Sequence, residues 1–197
     1  MASNTFSHPL PRFCAISVAL FLVLFLLPES SFVPLNRVTA ILSGWCIGLF
    51  IMQAEAAGDM MTLNGFRVRI ITECTALYSM TVFAAFVFAW PAPWRQRRWG
   101  LLAGCAVLNA VNLVRIAMVT VVGAEYPRFF EAAHVSLGQV AMLVLVIGVA
   151  MGWLRWVSRS DAGGDGFILR AAVLASVFFP FWLVLNTHYV RMLDRLV

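Results

Sequence analysis

Apolar runs long enough to cross a bilayer recur along this chain, separated by short polar connections, and they restrict it to folds that live in lipid. A crossing α-helix needs about 20 mostly apolar residues. Such runs occupy 13–27, 38–54, 74–90, 99–122, 134–157 and 167–186. The first stops at Pro28 and the third at Pro91-Ala92-Pro93. No small-x-small cleavage site follows Leu27, so the first run reads as a membrane helix rather than a leader peptide. Within hydrocarbon, each backbone N–H and C=O must find its partner inside the segment or a closed sheet, so these runs predict helices. The expected fold is all-α: one integral membrane domain over 1–197, a polytopic bundle of six spans without internal repeats.

Composition excludes most alternatives. Of 197 residues, 62% are hydrophobic and 12% charged, against about 45–50% and about 25% in soluble domains. A water-soluble fold of this size lacks the polar groups to cover its surface. That removes an ordinary soluble enzyme, a disordered linker and a secreted disulfide scaffold. The formal net charge is +5 and all fourteen basic residues are Arg. They lie mostly near the ends of apolar runs, which suits topology control and lipid headgroups better than a nucleic-acid groove. No nucleic-acid partner is expected; the bilayer is. The cysteines, Cys14, Cys46, Cys74 and Cys105, are at least 28 residues apart. There is no CxxC, no zinc spacing and no redox pair. The acidic residues are scattered, so neither a metal nor a cofactor is expected.

One connection differs from the rest. Residues 55–73 (EAAGDMMTLNGFRVRIITE) are too polar to span and too long for a minimal turn. After Asn64-Gly65, Phe66, Val68 and Ile70 alternate with Arg67, Arg69 and Ile71, the pattern of a short extended segment. It delivers the chain into Cys74. Arginine counting gives a near tie in orientation. With 91–98 cytoplasmic, seven Arg fall inside (37, 95, 97, 98, 155, 159, 170) and six outside (12, 67, 69, 128, 191, 195). The dense Arg95, Arg97, Arg98 cluster, with Glu55, Asp59, Glu73, Glu125 and Glu131 near the opposite face, puts 91–98 inside and Cys74 outside. Arg12 argues the other way.

Polar groups within the runs mark candidate functional positions. Asn109, Asn112 and Arg115 are spaced by three and project from roughly one helix face. Arg115 precedes Val122 by seven residues, about 10 Å along a helix. Alone, it reads as readily as a structural arginine satisfied by carbonyls and Asn112. His134 opens the fifth run and alone reads as an interfacial histidine. Parity joins them: the third run leaves the side of Cys74, the fourth returns and the fifth departs again. Cys74, Arg115 and His134 therefore share one side of the membrane in either orientation. A thiolate nucleophile is favoured by a helix N-terminus and a nearby cation. An imidazole beside it can act as base, and a guanidinium can hold an oxyanion.

These residues sit in motifs that resemble the exosortase/archaeosortase family of membrane-embedded cysteine transpeptidase-like enzymes. The motifs are GFRVRIITEC leading into Cys74, FAWPAPWR from Phe88 to Arg95, NLVRI from Asn112 to Ile116, and EAAHVSLGQ around His134. The resemblance covers 65–156; the proline-tryptophan turn and NLVRI look most like the exosortase H type. It implies Cys74 as nucleophile, Arg115 as catalytic or oxyanion residue and His134 as proton carrier, with Asn112 in support. It also implies substrates: exported proteins ending in a short motif, a transmembrane helix and a basic tail. These would be cut at the extracytoplasmic face of a bacterial cytoplasmic membrane and, in the transfer version, passed to an acceptor lipid or glycan. Many members carry a small residue and glycine after the cysteine, whereas this chain has Thr75-Ala76. The alternative is a non-catalytic membrane assembly or scaffold protein that uses Asn112, Arg115 and His134 as interhelical polar contacts. A thiol oxidoreductase lacks paired cysteines, a serine protease lacks its serine motif, and a bis-histidine haem protein would need His134 and His188 on different spans.

Overall fold

The structure, a computed structural model, describes residues 9–49 and 54–160. Helices dominate: α1 (Pro9–Leu26), α2 (Val33–Gly48), α3 (Leu77–Ala89), α4 (Trp94–Glu125) and α5 (Gly138–Ser160). Between α2 and α3 lies a three-stranded antiparallel sheet in the order β1 (Glu55–Ala57), β2 (Met60–Leu63), β3 (Phe66–Arg69). The all-α expectation is thus corrected over 55–69, where the segment expected to be extended is a full meander. Contacts group Met1–Ala150 into one unit and Met151–Val197 into another; the candidate site described below lies in the first.

Two helices, Trp94–Glu125 and Ala132–Ser158, are long and apolar enough to cross a bilayer. They contain the expected runs 99–122 and 134–157. The expected first two runs form instead a pair, Pro11–Leu26 and Glu29–Gly48, bent by 101° and counting at most as one broken span. Pro28 is the cause: its backbone is extended (φ −66°, ψ 145°), and proline cannot donate the hydrogen bond that would continue α1. The 13 residues of α3 extend about 20 Å at 1.5 Å each, less than the ~30 Å hydrocarbon core. The run 167–186 lies outside the described residues.

Glycine notches set the helix packing. α3 packs on α1 and α4, and α4 also packs on α2. On α4 a stripe of Gly100, Gly104, Leu108, Asn112, Ile116 and Thr120 is buried. On its other side Val107, Val111, Val114 and Met118 are exposed at helical spacing, an apolar face suited to lipid. At Gly104 the Phe83 ring fills the space that a Cβ would take.

The sheet has its own logic. Asn64 and Gly65 both have positive φ (51° and 83°), the conformation of a two-residue type I′ hairpin turn. Strand alternation then buries Met61 and Leu63. They join Ala40 and Ile47 of α2, Ile116 and Ala117 of α4, Ile70 and Cys74 in one apolar cluster. Arg69 on the opposite face holds Asp59 at 2.9 Å, and this hydrogen bond keeps the Asp59 carboxyl below its ordinary pKa. The meander is therefore a lid on α2 and α4, with its last strand feeding Cys74.

Gly104→Ala should lower thermal stability in detergent by about 1–3 kcal/mol, the usual cost of overpacking. Gly148→Ala, with nothing within 4 Å of the added Cβ, should be neutral or stabilising by up to about 1 kcal/mol through helix propensity. Thermal unfolding of the purified variants measures both.

Candidate active site

Beyond β3 the chain stays extended at Ile71 (φ −98°, ψ 168°), then makes a single 3-10 turn, Thr72–Cys74. The turn is closed by the Cys74 N–H donating to the Ile71 carbonyl at 2.9 Å. Thr75 links this turn to α3. Its hydroxyl donates to the Thr72 carbonyl at 2.7 Å and accepts the Leu77 N–H at 3.3 Å. One of the free N–H groups at the start of α3 is thereby satisfied. Thr75, which departs from the resembled pattern, has a local role here. Asn36 of α2 approaches from the side, its Nδ2 donating to Thr72 Oγ1 at 3.5 Å.

The backbone of Cys74 is held from α4. Asn112 Nδ2 donates to the Cys74 carbonyl at 2.9 Å, and Arg115 Nη2 donates to the same oxygen at 3.1 Å. A carbonyl has two lone pairs and here both are engaged. The two donors are three residues apart in sequence, so one helix face supplies both. α4 continues to Glu125, ten residues beyond Arg115, so the guanidinium sits about 15 Å from the helix end rather than the expected 10 Å. Among the described residues no carboxylate pairs with Arg115, and its Nε is buried without a hydrogen-bond partner. Asn112 Oδ1 is likewise buried and unpartnered.

His134 arrives on a π-helical turn, Ala132–Leu137, that precedes α5. It is half-buried and lies within electrostatic range of Arg115. Its ring stacks on Phe130, with centroids 5.6 Å apart and planes at 4°. Four residues after His134, Gly138 faces Arg115: a Cβ there would stand 3.3 Å from Nη1 and 3.2 Å from the Ala133 carbonyl. The structure thus brings Arg115 against both the Cys74 backbone and the start of the fifth run. Cys14 and Cys105 lie elsewhere on α1 and α4, while Cys46 packs beside the apolar cluster.

One electrostatic expectation is corrected. Cys74 is not at the N-terminus of α3 but three residues ahead of it, and its side chain is buried in the apolar cluster. Burial pushes the thiol pKa up; a backbone hydrogen bond at Ile71 and the Arg115 cation oppose this, and Glu73 adds to it.

Several contributors are not legible in the sequence: Asn36, Thr75, Phe130 and Gly138. The spacing of four through Phe130, His134 and Gly138 is a signal that, on a helix, places all three on one side. Among the described residues no group of His, Cys, Asp and Glu could hold a metal ion.

The sequence model of the transmembrane exosortase family (Exosortase_EpsH) matches residues 6–152. No curated protein and no solved structure matches the chain.

A pH titration of Cys74 reads the electrostatics directly. With Cys14, Cys46 and Cys105 changed to Ala, iodoacetamide alkylation of Cys74 in detergent should have its midpoint above the ordinary thiol value of about 8.5. Since a cation favours the thiolate, Arg115→Gln should move the midpoint higher still and slow alkylation at neutral pH. An ordinary midpoint, unmoved by Arg115→Gln, would contradict this assignment.

Proposed function

Because the chain belongs to the transmembrane exosortase family, whose members are transpeptidase-type membrane proteins, we propose that it cleaves C-terminal sorting signals through a thioester at Cys74. The observation that carries this reading is the half-used guanidinium of Arg115. It binds the Cys74 carbonyl through Nη2, yet keeps a buried donor, Nε, without a partner among the described residues. A partly buried cation without a counter-charge is costly. It becomes favourable when negative charge develops beside it, as on a thiolate or a tetrahedral oxyanion.

His134 takes the proton from the Cys74 thiol, and the sulfur attacks the scissile carbonyl. Negative charge moves to the carbonyl oxygen, where the free Arg115 donors receive it. The C–N bond then breaks, the imidazolium returns the proton to the leaving amine, and a thioester joins the N-terminal product to Cys74. Water or an acceptor amine or hydroxyl attacks the thioester and frees the sulfur. Asn112 keeps the nucleophile's backbone fixed through this cycle.

In this reading the substrates are exported proteins with a short motif, an apolar helix and a basic tail. The chain lies in the bacterial cytoplasmic membrane, with Cys74 on the extracytoplasmic side and Arg95, Arg97 and Arg98 inside. The scaffold alternative is supported by the same two bonds to the Cys74 carbonyl, since a purely structural arginine would make them. It gives no reason for a buried spare donor.

The test uses a co-expressed reporter, a soluble exported domain followed by such a C-terminus from the same organism. Changing Cys14, Cys46 and Cys105 to Ala should preserve cleavage, whereas Cys74→Ala should abolish it. Arg115→Lys should insert normally but lose at least about 10²-fold in rate per molecule, the scale of one lost oxyanion donor. Near-normal cleavage per molecule with reduced protein level in Arg115→Ala would favour the scaffold.

A further inference from the structure

An aromatic relay runs from the meander to the imidazole. Phe66 opens β3, and its ring meets Phe130 edge-on, with centroids 5.2 Å apart and planes at 67°. Phe130 in turn lies flat on His134. Both phenylalanine rings converge on Gly123 of α4, where a Cβ would run into the Phe66 ring and stand 2.8 Å from Phe130. The glycine is therefore a notch that admits the pair. On the far side of His134, Gly138 clears the Arg115 guanidinium in the same way. The histidine side chain is bracketed by two helix positions at spacing four, one supplying a ring and the other supplying nothing.

Elsewhere the connection has few restraints of its own. Tyr126, Arg128 and Phe129 are exposed, and the turn carrying His134 is π-helical, a wider coil than α. Among the described residues no hydrogen bond fixes either imidazole nitrogen. The imidazole plane lies within 4° of the Phe130 ring. A base works only when its nitrogen points at the proton it takes, and small misplacements cost about 10²-fold in rate.

We propose that Phe130 is a positioning residue that orients the His134 imidazole toward the reacting groups, with Phe66 and Gly123 holding Phe130 in place. This rests on His134 being the base of the proposed reaction. The meander thereby gains a second role. Besides carrying the chain into Cys74, it steadies the opposite member of the site through Phe66.

The experiment pairs reporter kinetics with a substrate-free measurement, iodoacetamide alkylation of Cys74 at pH 7.5 in the background lacking the other cysteines. Phe130→Leu should lower reporter kcat by about 10- to 100-fold with KM within about twofold, and should slow alkylation. Phe130→Tyr, which keeps the ring, should restore both. Combined with His134→Ala, Phe130→Leu should add no further slowing of alkylation, because its effect passes through the missing imidazole. Phe66→Leu should show a smaller loss in the same direction, and serves if Phe130→Leu fails to accumulate. Wild-type kcat in Phe130→Leu beside an impaired His134→Ala would overturn the positioning role while sparing the reaction. Additive slowing in the double variant would overturn it too. Wild-type alkylation and cleavage in His134→Ala would instead overturn the base assignment, and the inference with it.

Discussion

The arrangement depends on one partly buried cation. Arg115 sits well inside the longest apolar helix, where an arginine costs about 2.5–3.5 kcal/mol on insertion scales. The bond from Nη2 to the Cys74 carbonyl recovers a comparable amount, since hydrogen bonds to charged groups contribute about 1.5–3 kcal/mol. The arginine and the Cys74 segment therefore need each other. Without Cys74 at this place the guanidinium is stranded; without the guanidinium one lone pair of a buried carbonyl loses its partner. Asn112 shares the load through the same oxygen, at the spacing that one helix face dictates. The offset covers only part of the guanidinium's donor capacity, since Nε is left without a partner among the described residues.

The rest of the unit makes that contact possible. Pro28 turns the chain through 101°, returning α2 beside α4. The meander then closes over α2 and α4 with Met61 and Leu63 inward. Its last strand aims the chain at the Cys74 turn, and Thr75 launches α3 away from it. Gly104 lets α3 and α4 approach closely enough for the returning helix to reach back to Cys74. Burying Cys74 among apolar side chains raises its thiol pKa.

Much of this is legible in the residues alone. Spacing of three puts Asn112 and Arg115 on one face, and parity puts Cys74, Arg115 and His134 on one side of the membrane. Asn64-Gly65 announces an extended segment. The meander's first turn is hidden because Gly58-Asp59 lies among short, exposed and weakly alternating residues. Apolarity alone gives 13–27 and 38–54 as separate crossings, but it carries no information about the bend that Pro28 imposes. The electrostatic expectation for Cys74 fails because position along a helix says nothing about burial. Phe130 and Gly138 are invisible as site residues, since a phenylalanine and a glycine in an apolar chain look like packing until their partners are known.

The mechanism stands or falls on Cys74 carrying the substrate covalently, and intact-mass spectrometry of the enzyme with its reporter reads that bond itself. Rapid acid quenching during turnover should reveal a fraction of enzyme heavier by the mass of the N-terminal product, mapped to Cys74 and released by neutral hydroxylamine, as a thioester requires. Cleavage that proceeds at full rate with no such adduct, or with the adduct on another residue, would refute the covalent mechanism.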